Sequence, residues 1–216
     1  MTRMNRWSLL LFACMAGPVL GQPNGILLVA KPGLPDPNFS ETVVLVARAD
    51  DAATVGVILN RPSVRRLVDI APSWPGAENL TEPLYTGGPV MRQIVVALFA
   101  SPQEPKAKAF RVLPHVYLSM HAGNLEPLIA QPSARMRLYA GFSGWAPRQL
   151  EAEVDRGTWY SMRATEDLIF RKETSGMWQE LVEKARAGPR ADTAPEPLDI
   201  LVPCFACFAS SSLSPR

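Results

Sequence analysis

Gly25-Ile-Leu-Leu-Val-Ala30, Thr42-Val-Val-Leu-Val-Ala47 and Val55-Gly-Val-Ile-Leu-Asn60 are three short apolar runs rich in strand formers, and they decide the fold. The first two are separated by Pro32, Pro35 and Pro37, which cannot donate to a ladder and mark a loop. The second and third are joined by Asp50-Asp51-Ala-Ala-Thr54. That turn is short enough to predict an antiparallel hairpin.

Downstream, Ser63 reads as the N-cap of a short amphipathic helix to Ile70, with Val64, Leu67 and Val68 at helical spacing. Residues 71–83 hold three prolines and read as loop. Residues 84–86 are a strand ending in Gly87-Gly88-Pro89, and residues 94–99 are apolar on both faces, which predicts a central strand. Residues 116–120, 135–140 and 158–162 add further strands. Pro147 opens a helix to Arg156 with Leu150 and Val154 as its apolar stripe, proline being tolerated at a first helical position. Thr174 or Ser175 caps a last helix through Ala187, stopped by Gly188-Pro189.

Upstream, Arg3 and Arg6 precede an uncharged run over residues 7–20, and Val19-Leu20-Gly21 offers a small-residue exit. This is the pattern of an export signal over residues 1–21, placing the protein in the periplasm or cell envelope. Leu11-Phe-Ala-Cys14 allows a lipoprotein variant in which Cys14 is acylated. Cleavage would remove both arginines and leave 20 basic residues against 20 acidic ones. Such a balance argues against nucleic acid as a partner, which calls for a basic excess. No apolar stretch approaches the roughly 18–20 residues of a membrane-spanning helix. The chain thus reads as an export signal, one α/β domain over 22–188, and a Pro-, Ala- and Ser-rich tail over 189–216. Within the tail, residues 198–202 are apolar and precede Cys204 and Cys207.

Several phrases together resemble one family. Gly25 to Phe39 is followed by Thr42-Val-Val-Leu45, Gly56-Val-Ile-Leu-Asn-Arg-Pro62, Thr86-Gly-Gly-Pro-Val90, Gly141-Phe-Ser-Gly-Trp145, Gln149-Leu-Glu151, and Glu153 with Trp159. In this order and spacing they look like the AlgH/YqgE family of bacterial proteins, over residues 25–187. The resemblance implies a branched, mostly antiparallel sheet curled into a pseudo-barrel with helices packed outside. It implies no established biochemical activity, and most relatives are cytoplasmic and begin almost directly with the domain. This chain departs from the pattern in its export signal, its tail, and Val90-Met-Arg-Gln-Ile94, where relatives usually carry Arg-Gly-Phe.

No arrangement of residues amounts to a catalytic or metal site, and no cofactor is implied. His115 and His121 flank a strand with Tyr117 and Ser119 on the same face, which reads as solvated. If that strand is continuous the histidines lie about 20 Å apart, too far to share a metal. Ser143 sits between a strand and a helix, the setting of a nucleophile elbow, but glycine follows one residue later instead of two, and no histidine lies downstream. Glu151 and Glu153 are two apart on a helix and do not face each other. Asp50 and Asp51 read as solvated turn residues. Cys204-Phe-Ala-Cys207 is a candidate disulfide, or the centre of a thiol–disulfide redox protein.

Two functions stand. The first is a non-enzymatic binding or regulatory module, its partner a protein or a small anionic ligand. The second is the redox protein. For the first, the candidate surface is Asn60, Arg61, Gly87, Gly88, Trp145, Arg148 and Gln149, three turns that each follow a predicted strand. The helix beginning near Pro147 would offer N–H groups to an anion. Against this stands a structural account: glycines for backbone geometry, Trp145 in the core, Asn60 tying down a turn.

Overall fold

The three apolar runs form β1 (Ile26–Ala30), β2 (Val43–Arg48) and β3 (Thr54–Ile58). In the computed structural model, which describes residues 25–48, 53–133 and 135–188, these strands pair antiparallel as neighbours. Side chains alternate across a strand, and here both faces are covered. Leu27, Val29, Val43, Leu45 and Val57 enter an inner core; Leu28, Val44, Val46 and Ile58 enter an outer one. Burial on both faces explains why the runs are continuously apolar. Each fully buried Leu, Ile or Val contributes about 1.5–3 kcal/mol.

Six more strands complete one sheet: β4 (Tyr85–Thr86), β5 (Val90–Ala100), β6 (Phe110–Leu113), β7 (Val116–Ser119), β8 (Met136–Trp145) and β9 (Trp159–Arg163). Their order is β6-β7-β5-β8-β3-β2-β1-β9, with β4 off this path against β8. Every pairing is antiparallel except β4 with β8. The branch point is β8: its first half pairs with β5, and Ser143–Trp145 turn to β3. The sheet curls until Gly25 meets Val112 of β6, and β6 and β7 share the inner core with β1 and β2. It does not close, because β6 and β9 remain at its two ends.

Helices seal what the sheet leaves open. α1 (Leu67–Ile70) and α2 (Ala122–Ala130) bury Leu67, Leu125 and Ile129 against Val95, Ala97 and Leu138. α3 (Gln149–Asp155) packs Leu150 and Val154 over the outer core. α4 (Glu166–Ile169) and α5 (Met177–Arg186) put Ile169, Met177, Leu181 and Val182 into the inner one. Among the described residues no helix is long and apolar enough to cross a membrane.

Four local readings change. The first helix starts at Leu67, not at Ser63, and Val64 is 98% exposed. The Ser63 N–H donates to the Leu84 carbonyl and the Leu84 N–H to the Arg65 carbonyl, which holds this stretch extended. The strand predicted over 135–140 runs on through Gly141 to Trp145, so Ser143 lies within a strand and not in a strand-to-helix turn. Tyr117 and Ser119 are buried instead of solvated; β7 is covered on both faces, and Ser119 Oγ donates to the Lys108 carbonyl. The cap of α5 is Gly176, at φ 71°, with no side-chain capping bond from Thr174 or Ser175. β6, α2 and α4 were not anticipated. In α2 the Pro127 within Ala122–Ala130 hides a helix that the Leu125/Leu128/Ile129 spacing would otherwise mark.

Candidate functional site

Asn60 and Arg61 leave β3 and hold down the loop that leads into β2. Asn60 Oδ1 accepts the Val43 N–H at 2.8 Å, and its Nδ2 donates to the Glu41 carbonyl at 2.9 Å. The Arg61 guanidinium donates to the carbonyls of Asn38 (2.6 Å), Ser40 (2.7 Å) and Pro37 (3.3 Å). Within the loop, Asp36 Oδ1 accepts the Asn38 N–H at 2.8 Å. These bonds keep Glu41 at φ 56°, a conformation uncommon outside glycine that persists only where the surroundings impose it.

Between this loop and the start of α5 lies a cleft of about 280 Å³. Ser40, Glu41, Asn60 and Arg61 form one wall; Thr174, Ser175, Gly176, Trp178 and Gln179 form the other. The far wall is fixed by Trp178, whose Nε1 donates to the Ala30 carbonyl at 2.8 Å. Burial lowers the affinity of Arg61 for its proton, and the charges of Asp36 and Glu41 pull it back up. A guanidinium carries five N–H donors, so three carbonyl bonds leave some of its capacity unspent.

The other candidate residues lie elsewhere. Gly87 is wedged against β8, donating its N–H to the Ala140 carbonyl at 3.0 Å. Its own carbonyl accepts from the Ile58 N–H and from Ser143 Oγ, both at 3.1 Å. A Cβ at Gly87 would overlap the Gly141 carbonyl oxygen, and one at Gly88 would overlap Phe142. Trp145 is buried in the outer core, stacked on Phe39 at 5.7 Å between ring centroids. Its Nε1 donates to Glu153 Oε2 at 3.0 Å, and Trp159 Nε1 donates to the same oxygen at 3.0 Å. Arg148 is the N-cap of α3 at φ 68°. Gln149 accepts the Ala146 N–H and donates to Glu153 Oε1, both at 3.1 Å. Of the seven candidates, Asn60 and Arg61 line the cleft and the remaining five do not.

The other constellations resolve into structural roles. Ser143 is fully buried and spends its hydroxyl on Gly87. His115 sits in the β6–β7 turn at φ 63°, and His121 caps α2, its Nδ1 accepting the Gly123 N–H at 3.1 Å. Glu151 pairs with Arg48. Tyr139 is fully buried, and among the described residues its hydroxyl has no hydrogen-bond partner. Burial drives its phenol far above the ordinary tyrosine range, a shift that nearby Arg137 opposes. The Arg137 guanidinium is directed at the carbonyls of Ile169 and Arg171 and stacks on Tyr85 at 4.4 Å. Among the described residues no three His, Cys, Asp or Glu side chains are grouped to hold a metal. Asp50, Asp51, Cys14, Cys204, Cys207 and the export segment lie outside the described residues.

The sequence marks none of Ser40, Glu41, Ser175, Trp178 or Gln179 as a site residue, Ser175 standing out only as a helix-cap candidate. They come from two segments more than 130 positions apart, and no local spacing links them. The nearest signal was the run of loop formers from Pro35 to Asn38.

A family model described as AlgH-like, DUF179, matches residues 27–190. A UPF0301 protein of Thermobifida fusca is 33% identical over 186 residues, covering 81% of this chain and 92% of its own length. A UPF0301 protein of Myxococcus xanthus is 34% identical over 155 residues, covering 70% and 84%. Among solved structures, the AlgH protein of Pseudomonas aeruginosa superposes with a TM-score of 0.62 at 22% identity, covering 84% of this chain and all of its own. Protein DIP2367 of Corynebacterium diphtheriae gives 0.61 at 25% identity, covering 76% and 87%. The chain belongs to the AlgH-like family.

Proposed function

We propose that this AlgH-like chain is a non-enzymatic binding module of the cell envelope, taking a small ligand with an anionic group in the cleft between Arg61 and the start of α5. The observation that carries this reading is the cleft itself. Its loop wall is locked by the five bonds from Asn60 and Arg61, and Glu41 is held in a strained backbone within it. Rigid polar concavities of this kind lower the ordering cost of binding a small molecule. Arg61 supplies positive charge with unspent donors, and the first turn of α5 supplies N–H groups that have no intrahelical acceptor. Glu41 on the same wall limits the net charge, which favours a ligand with one anionic group and a polar body over a polyanion.

Envelope placement is supported by the sequence: Arg3, Arg6, the uncharged run after them and Val19-Leu20-Gly21. Intact mass of protein from its native host should show a chain beginning at Gln22, and full-length protein in the cytoplasm would remove that part of the reading.

Binding is tested by titrating isotope-labelled protein with inorganic phosphate and with gluconate, one carboxylate on a polyhydroxyl body, at fixed ionic strength. Amide signals of Ser175, Gly176 and Gln179 and the indole signal of Trp178 should shift and saturate. A Ser175→Glu variant, which adds a negative charge without touching the loop anchors, should abolish saturation. Shifts that stay linear, or that center on another surface, would reject the cleft.

A further inference from the structure

The cleft beside Arg61 holds charge of both signs, and the two are not joined to each other. Glu41 is exposed and lines the cleft, and its carboxylate makes no hydrogen bond or ion pair among the described residues. Its charge acts on Arg61, yet no salt bridge forms, because Arg61 is turned to the carbonyls of Pro37, Asn38 and Ser40. Glu173, on the opposite segment, already accepts the Ser175 N–H at 2.7 Å. Glu41 is therefore a free acid held in place, its backbone at φ 56° and its carbonyl bonded by the Asn60 amide.

The wall facing it offers donors. α5 is ten residues long, and its N-cap, Gly176, brings no side-chain cap. The Met177 N–H goes to the Thr174 carbonyl and the Glu180 N–H to the Gly176 carbonyl. The N–H groups of Trp178 and Gln179 are left without an acceptor among the described residues. Thr174 stands beside them. It is only 6% exposed and lines the cleft, and its hydroxyl makes no hydrogen bond among the described residues. Of the unbonded side-chain atoms there, only the Tyr139 hydroxyl is sealed from solvent. Thr174 Oγ1 thus keeps an open side, and the space its residue borders is the cleft. A polar group this buried is ordinarily hydrogen-bonded, so its open position points to a ligand atom.

Resting on the reading of the cleft as a ligand site, we propose that its occupant is a small zwitterion of the amino-acid type. The α5 amides, Thr174 Oγ1 and the remaining N–H groups of Arg61 take its carboxylate, and Glu41 takes its ammonium. A bare carboxylate meets the Glu41 charge as repulsion, whereas a ligand with its own ammonium turns that charge into a strong hydrogen bond. The ammonium is primary and not trimethylated. A carboxylate accepts N–H bonds, and Trp178 is the only aromatic residue lining the cleft, too few for an aromatic cage. The cleft's volume of about 280 Å³ lies just below the roughly 300–1,000 Å³ of sites for drug-sized ligands, which suits a free amino acid.

L-Alanine and L-lactate differ only in ammonium against hydroxyl. Titrating the protein with each, followed by the Trp178 indole and Gln179 amide signals, tests the proposal. Alanine should saturate and bind at least about tenfold tighter than lactate. Glu41→Gln should remove that difference while leaving lactate binding unchanged or stronger. Thr174→Val, of similar volume, should weaken both ligands alike, with thermal melts showing that both variants stay folded. Alanine that binds no better than lactate overturns the zwitterion and leaves the anion site standing. A preference for alanine that survives Glu41→Gln does the same. If alanine, lactate, gluconate and phosphate all leave the cleft signals unmoved, the cleft falls as a ligand site and the zwitterion with it.

Discussion

Glu153→Leu removes one carboxylate and strands two indoles. Glu153 Oε2 accepts from Trp145 Nε1 and Trp159 Nε1, each at 3.0 Å, and the two tryptophans are 4% and 3% exposed. A buried N–H left without a partner costs about 1–3 kcal/mol, so two cost about 2–6 kcal/mol. Added apolar contact from leucine offsets part of this, and a net loss of about 3 kcal/mol is expected. That is a large fraction of the roughly 5–15 kcal/mol that holds an ordinary domain together. Glu153→Gln keeps a carbonyl oxygen at the same reach and should lose about 1 kcal/mol or less. Urea denaturation followed by tryptophan fluorescence measures both, and the comparison holds if the slope with denaturant is unchanged. Equal losses in the two variants, or a leucine variant within about 1 kcal/mol of the parent, would refute the claim that this one oxygen pins α3 to the sheet.

Tyr139→Phe should hold stability constant or raise it by about 1 kcal/mol, because the hydroxyl is buried and unbonded; a loss above about 1 kcal/mol in thermal or urea unfolding would show that the oxygen has a partner. Gly87→Ala should destabilise by several kcal/mol, about 3 or more, since the new Cβ would strike backbone and not a movable side chain; near-normal melting would show that β4 can shift away from β8. The Arg171–Glu180 pair holds the Glu180 carboxyl below its ordinary value and raises Arg171, chiefly through their hydrogen bonds. A lowered carboxylate contributes above its unfolded pKa and stops contributing as pH falls through the folded one. Glu180 is exposed and Arg171 only half-buried, so Glu180→Gln should lose only a few tenths of a kcal/mol at pH 7 and nothing near pH 2, read from paired melts at the two pH values.

The sheet was legible where burial and turn chemistry agree. Residues 26–30, 43–47 and 55–58 are continuously apolar or glycine because two cores cover them, and the short turn-forming sequence over 50–54 left one simple way to connect the last two strands. Legibility failed where a distant partner decides the local conformation. Ser63 looks like a helix cap, yet a strand-like exchange with Leu84 holds it extended. Tyr117 and Ser119 alternate with apolar residues as a wet face would, yet Asn124 of α2 supplies Ser119 Oγ with a donor at 2.9 Å and makes burial tolerable. Met91 marks another such place: four β5 residues, Met91 to Ile94, stand where β8 has Gly141 alone, a bulge with no local signature.

The candidate surface failed to assemble for a related reason, and that reason bears on how the family resemblance should be used. The phrases that carry the resemblance are spent on backbone geometry. Asn60 and Arg61 tie a loop to β3, Gly87 and Gly88 let β4 meet β8, and Trp145 with Trp159 and Glu153 fasten α3. A match to such phrases transfers architecture, and it transfers function only as far as the same side chains also face a ligand. Asn60 and Arg61 are where the two demands coincide, since the bonds that fix the loop also bring both residues to the cleft wall. In the proposed binding reading, discrimination among ligands falls to the opposite wall, at Ser175, Trp178 and Gln179, none of which lies in a recognisable phrase. Two members of the family can therefore share the loop anchor and the fold while differing in what they bind, and substitutions at Ser175 or Gln179 should change binding while leaving stability nearly untouched.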